Sequence, residues 1–229
     1  MKDRSHLVHE LQRAVADCPP QEVTRRLCGE LARGLPVDAV TVSLFTDTPW
    51  RLLLCASSQM ATVLEEVQFT VAEGPSITAA TTGEPVHFTD WQAGARRWPL
   101  FTAVVSERCP DIQAVHAFPL LAGGGVLGSV DLASLTPGGM PADAIDQAAE
   151  AIDAAAQVLL QRLLGEGDDS PAWELTDVVG TREANTHLAI GVFMVRKGVT
   201  ADTALALMRA HAFTTGRTLA EVTAEILSP

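Results

Sequence analysis

No stretch of this chain reaches the roughly 18 consecutive apolar residues that a membrane-spanning helix needs. The opening segment, MKDRSHLVHELQ, mixes both charge signs where a secretory leader would carry an apolar core. Both absences lead to the expectation of a cytoplasmic protein with no membrane partner. Cysteine is sparse: Cys18, Cys28, Cys55 and Cys109 are scattered, without a CxxC pair or histidines at metal-ligating spacing. That argues against a disulfide-stapled scaffold or a zinc site and leaves four reduced thiols as the expectation. Catalytic signatures are missing too. The chain has no GxSxG and no HExxH, and its one glycine-bearing loop, EGPSITAATTG (73–83), lacks the Lys-Ser/Thr pair of a phosphate-binding loop. The dispersed cysteines lack the clustering that thiol chemistry uses. The expectation is no enzyme, no metal and no cofactor.

Positive charge is also in deficit, and unevenly so. The 229 residues hold 16 Lys+Arg against 28 Asp+Glu, a net of -12. From Arg182 onward, five basic residues (Arg182, Arg196, Lys197, Arg209, Arg217) face four acidic ones (Glu183, Asp202, Glu221, Glu225). The whole deficit therefore lies in the first four-fifths of the chain. Such an acidic body repels nucleic acid at long range, whereas the tail does not. The asymmetry permits nucleic-acid binding without requiring it.

What the chain does have is apolar content, 47% hydrophobic, enough for packed cores in two domains. Helical spacing of Leu7, Leu11 and Val15, then of Val23, Leu27 and Leu31, predicts helices over 5–17 and 21–33. Alternation predicts a strand over 39–47, with a partner over 52–57 and a short strand over 68–71. Gly74-Pro75 breaks the chain before a helix over 76–82, closed by Gly83. A short strand over 86–88, an irregular loop over 90–99 and a helix over 101–108 follow. The clearest hairpin is VHAFPLL, then three glycines (Gly123 to Gly125), then LGSVDLAS. Pro119 within it suggests an edge position or a bulge. Together these predict an α+β domain on an antiparallel sheet.

From Pro141 to Leu164 the apolar residues Ile145, Ala149, Ile152, Ala156, Leu159 and Leu163 repeat as a heptad stripe. The stripe has two uses: packing on its own sheet, or forming a parallel seam between two subunits, which is the use expected here. Gly165 to Pro171 then marks a boundary. The expected division is 1–165, a linker over 166–172, and 173–229.

The tail divides into three helical segments. EANTHLAIGVFMVRKG (183–198) spaces Leu188, Val192 and Val195 for one face and ends on Gly198. TADTALALMRAHAFTTG (200–216) opens on Thr200 as N-cap, and TLAEVTAEIL (218–227) opens on Thr218 with Glu221 at capping-box spacing. Leu188, Val192, Ala204, Met208, Leu219, Val222 and Ile226 are the expected core. Phe193 and Phe213 are expected to join it. A unit this small offers one face to a partner.

VAEGPSITAATTGEPV (71–86), TDWQAGARRWPLF (89–101) and AFPLLAGGGVLGSVDL (117–132) resemble a GAF domain, a small-molecule sensor fold. AIGVFM (189–194), TADTALALMRAHAF (200–213) and GRTLAEV (216–222) resemble an ANTAR domain, a three-helix RNA-binding module of bacterial antiterminators. The order is that of actinobacterial GAF–ANTAR regulators. The resemblance implies a GAF-like antiparallel sheet flanked by helices, followed by an all-α three-helix domain. It also implies binding to paired stem-loops of nascent transcripts by a homodimer, so that an overlapping terminator cannot form.

On this resemblance the RNA-binding set is Arg196, Lys197, Arg209, His211, Thr214, Thr215, Arg217 and Thr218, as stem-loop RNA offers phosphates and unstacked bases. Family members often carry Lys where this chain has Ile190, before Gly191. The ligand set implied for a mostly apolar sensor pocket is Phe45, Cys55, Ser76, Trp98, Phe101, His116, Phe118 and Asp131. His87 and His116 are read as core residues and not as haem ligands. The alternative function is a protein-interaction regulator whose helical tail binds a protein partner. Helix-turn-helix DNA binding is disfavoured, because no helix gathers the basic and amide residues a major-groove reader needs.

Overall fold

The computed structural model describes residues 4–45, 51–163 and 181–228. Two helices open it, α1 (Arg4–Ala16) and α2 (Pro20–Gly34), and they lead into β1 (Ala39–Phe45) and β2 (Arg51–Ala56). Then come α3 (Gln59–Val71), α4 (Pro75–Thr82), β3 (Val86–Phe88), α5 (Trp91–Arg97) and α6 (Pro99–Arg108). The long hairpin β4 (Ala114–Ala122) and β5 (Gly125–Ser134) precedes α7 (Ala142–Leu163). The tail holds α8 (Thr181–Lys197), α9 (Ala201–Thr214) and α10 (Leu219–Leu227).

The five strands form one antiparallel sheet in the order β2-β1-β5-β4-β3, as the hairpin and alternation predicted. Pro119 sits on an interior strand, beside the register shift between Leu120 and Leu121. Its missing N–H is tolerated because β3 is short and pairs only with Val115 to Ala117.

Alternate residues of the sheet feed two cores. On one face, Val40, Val42, Phe118, Leu120, Val130 and Leu132 pack against α1, α2 and α7. On the other, Ala39, Val115, Ala117 and Ala133 pack against α3 and α6 through Leu64, Val67, Trp98, Phe101 and Val105. Phe88 centres an aromatic cluster there, edge-on to Trp91, Trp98 and Phe101 at ring distances of 4.8, 6.1 and 5.7 Å.

Three expectations are corrected. Residues 68–71 are the last turn of α3 and not a strand. Ser58 caps that helix by accepting from the Ala61 N–H at 3.2 Å, and Leu64 and Val67 share its buried face. Four residues of alternation are too few to separate a strand from a helix end. Residues 91–97 are helical and not irregular, because Asp90 Oδ1 accepts from the Gln92 and Ala93 N–H groups at 2.8 and 3.1 Å. The stripe on α7 faces inward. Ile152, Ala156 and Leu159 are buried in the core shared with α1 and α2, with Ile145 and Ala149 half-buried against it. They are therefore taken up by their own domain, and Leu163's side chain lies outside the described residues, as does the expected linker.

The tail packs around a core of its own: Ala189, Ile190, Ala204, Leu205, Met208, Ala212, Leu219, Val222 and Ile226. Thr200 and Thr218 cap α9 and α10 as expected, the latter through a complete capping box with Glu221. The face of α8 is rotated from expectation. Leu188 and Val195 are 59% and 85% exposed, while Ile190 is 1% exposed at the centre. Phe193 is half-buried on that core, but Phe213 is half exposed and outside it.

Candidate functional site

The α3–α4 face of the sheet carries a buried polar cluster. Arg51 on β2 comes from an edge strand and lies across α3, where Nη2 donates to Glu65 Oε2 at 2.6 Å and also to Ser76 Oγ. Its Nε lies 2.5 Å from Glu65 Oε1 in ion-pair contact, yet that N–H is not directed along a hydrogen bond, and among the described residues Nη1 is unpartnered. Ser43 Oγ donates to Glu65 Oε1 at 2.5 Å. Deeper in, Gln68 Nε2 donates to Asp131 Oδ2 at 2.5 Å, and Gln68 Oε1 accepts from the Ser76 N–H at 2.8 Å. Ser76 and Ser129 share a hydroxyl–hydroxyl bond of 2.6 Å.

The chain threads this cluster tightly. Gly74, at φ 139°, holds the start of α4 against Gln68, where a Cβ would stand 2.6 Å from Gln68 Oε1. Asp131 is sealed in, and among the described residues its Oδ1 has no partner. Burial, then the neighbouring Glu65 carboxylate, pushes its pKa up to about 7, against the pull of Arg51, Gln68 and Ser76.

A second polar pair lies on the opposite face. His87 and His116 meet Nδ1 to Nδ1 at 3.0 Å, and the Met140 N–H donates to His116 Nε2 at 3.2 Å. His116 Nε2 is thus an acceptor, so its proton sits on Nδ1 and is donated to His87. Burial, then the His87 ring, lowers His116 to about 4, and burial lowers His87. Two neutral, mutually satisfied rings fit a packing role.

The eight expected ligand residues therefore do not surround one space. Ser76, Trp98, Phe101 and Asp131 lie on the α3–α4 face, with the Phe45 ring 4.8 Å beneath the Arg51 guanidinium. Cys55, His116 and Phe118 belong to the α1–α2–α7 side, and Phe118 is packed in that core. The alternation of the sheet separates them. Sequence reasoning missed Arg51, Glu65 and Gln68. Gln68 was hidden by the strand reading, and an Arg–Glu pair 14 residues apart has no local signature.

In the tail, the eight expected RNA contacts fall into two groups and an outlier. Arg196 and Lys197 are exposed at the end of α8. Arg196 Nη1 donates to the Ile226 carbonyl at 3.2 Å, and the Lys197 ammonium is 5.8 Å from the Phe193 ring. At the other end of α10, Arg217 pairs with Glu225 and donates to the Glu221 carbonyl at 2.9 Å. Thr218 there caps α10, while Thr214 and Thr215 donate to the His211 carbonyl at 3.2 and 2.6 Å. Arg209 is turned away from both groups and onto α3, where Nε donates to the Phe69 carbonyl at 2.9 Å.

An α+β sensor-type domain followed by a separate trihelical unit is the class these features define. A GAF domain model matches residues 19–160 and an ANTAR domain model matches residues 183–227. The chain belongs to the GAF family and carries an ANTAR domain behind its GAF domain, in the order of a GAF–ANTAR protein. Both are regulatory domains.

Solved structures share the sensor fold at low identity. The GAF domain of a phosphoenolpyruvate-protein phosphotransferase from Coxiella burnetii is 16% identical with a TM-score of 0.53, covering 71% of this chain and 96% of its own. The corresponding Acinetobacter domain is 11% identical with a TM-score of 0.52, covering 71% and 95%. Reduced fRMsr of Staphylococcus aureus is 10% identical with a TM-score of 0.52, covering 69% and 95%. No curated protein matches the chain. Among the described residues, no helix is long and apolar enough to cross a membrane.

Proposed function

We propose that this protein is an RNA-binding regulator of transcription antitermination, whose GAF domain senses a small molecule or other signal and controls a paired ANTAR output. The observation that carries the reading is a matched ANTAR domain that has its own core and bears exposed cations and hydroxyls at its rim. Arg196 and Lys197 lie at one end of α10 and His211, Thr214, Thr215 and Thr218 at the other, about one nine-residue helix apart along the backbone, roughly 13 Å, while the Arg217 side chain runs along α10 to Glu225. That span suits the phosphates of a stem and the bases of its loop. Arg209 completes the set once it leaves α3.

Two linked stem-loops call for two tails, and pairing them raises affinity through effective concentration without new contacts. With the α7 stripe committed to its own domain, the pairing surface lies elsewhere. On the sensor, Phe45, Ser76, Trp98, Phe101 and Asp131 are the ligand candidates, because they share a face. Cys55, His116 and Phe118 fall outside that set.

Electrophoretic shifts with a tandem stem-loop RNA and a duplex DNA of equal length test the proposal. The RNA is retarded at concentrations that leave the DNA free. Equal retardation of the two would reject the specific reading.

A further inference from the structure

The tail is clasped to the sensor through two cations, Arg209 of the tail and Arg108 of the sensor. Phe69, on the last turn of α3, packs against the tail's core. Its carbonyl accepts from Arg209 Nε at 2.9 Å, and its ring lies 4.8 Å from the Arg209 guanidinium carbon. From α6, Arg108 Nη2 donates to the Gly216 carbonyl at 3.2 Å. Beside this contact, a cavity of about 290 Å³ is walled by Val104 and Arg108 of the sensor and by Phe213, Arg217 and Thr218 of the tail. Residues expected to meet RNA therefore face the sensor.

Arg209 is poorly accommodated in this seat. Among the described residues it has no carboxylate at ion-pair distance; one carbonyl and one ring are its partners. Burial, then the like charge of Arg51, lowers it to about 10, so it stays a cation at neutral pH. A desolvated guanidinium with so few compensating contacts gains by moving to a phosphate, which offers bidentate, charge-assisted hydrogen bonds.

We propose that helix α3 and RNA compete for Arg209, so that the closed seam holds the tail silent and Phe69 is the residue that keeps it closed. This rests on the RNA-binding reading above. The signal that opens the seam then sets how much of the protein is competent to bind.

The test uses the full chain as wild type, Phe69→Ala, Arg108→Ala and Phe69→Ala/Arg209→Ala, with two readouts. Phenylglyoxal labelling followed by peptide mass spectrometry reports the exposure of Arg209 relative to Arg196, without RNA. Titration with a tandem stem-loop RNA reports affinity. Both single variants are expected to raise Arg209 labelling and tighten RNA binding by about fivefold, the low end of ordinary coupling between sites, and Arg209→Ala removes the gain. Arg108 donates to a loop carbonyl of the tail and takes no part in the tail's core, so Arg108→Ala carries the test if loss of Phe69 disturbs that core. Labelling of Arg209 as fast in wild type as in the variants overturns the clasp. Faster labelling with unchanged RNA affinity overturns the competition and leaves RNA binding standing. Faster labelling with no RNA binding by any form removes the RNA reading, and the competition with it.

Discussion

Removing the Arg51 side chain leaves Glu65 buried without its cation, and that loss dominates anything gained by shrinking the side chain. Breaking a buried pair from one side costs about 3–5 kcal/mol. Arg51→Met is expected to lower stability by that order in chemical denaturation. Arg51→Met with Glu65→Leu should recover most of it, because neither charge then remains in the core. A double variant as unstable as the single one would show that the pair is a net stabiliser.

Asp131 makes a second prediction with a defined pH direction. Its carboxyl holds a proton up to about 7 when folded, against an ordinary value of 3.8. As pH rises from about 4 to 7 the unfolded chain releases that proton first, so stability is lost across this window and stays lost above it. Asp131→Asn, neutral throughout, should gain on wild type in melting temperature across the same window. A difference independent of pH would contradict the assignment. His116, lowered to about 4, acts in the opposite direction: stability falls as pH drops from about 6.5. The two effects overlap, so the comparison of variants and not the wild-type profile separates them.

At the level of the elements, the capping box on α10 offers a clean measurement. Thr218 Oγ1 accepts from the Glu221 N–H at 3.1 Å, and Glu221 Oε2 accepts from the Thr218 N–H at 2.7 Å. Thr218→Ala is expected to cost about 1 kcal/mol, seen as a lower tail transition in circular dichroism. No change would mean the cap is solvent-satisfied. This box was legible in sequence because three-residue spacing sets it, and so were the antiparallel hairpin and the helix over 75–82, fixed by local turn chemistry.

Elements whose identity depends on distant partners were not legible. The end of α3 alternates like a strand, yet its Gln68 reaches Asp131, 63 positions away. The α7 stripe has coiled-coil spacing, but α1, α2 and the sheet supply its partner. Periodicity reveals that a face is apolar and not what covers it. On α8 Val192 packs against the core as its spacing predicted, but Leu188 and Val195 are exposed, and Ala189 and Ile190 fill the core in their place. Ile190, at the position where the resemblance led to the expectation of Lys, is 1% exposed and is a packing residue here.

Across the whole molecule, the seam matters most and was the least visible beforehand, since it joins Phe69 to Arg209 across 140 positions. The charge asymmetry that singled out the tail is a property of composition and survives folding. Which of its cations stand free is a property of packing alone. Arg196 and Lys197 are exposed, Arg217 is paired with Glu225, and Arg209 is docked. Ultraviolet crosslinking of the full chain to a tandem stem-loop RNA, with ribonucleotide adducts mapped by peptide mass spectrometry, tests the central claim most directly. The account predicts adducts on the peptides holding Arg196–Lys197 and residues 211–218. Adducts confined to the sensor, or absent from the tail at saturating RNA, would contradict it.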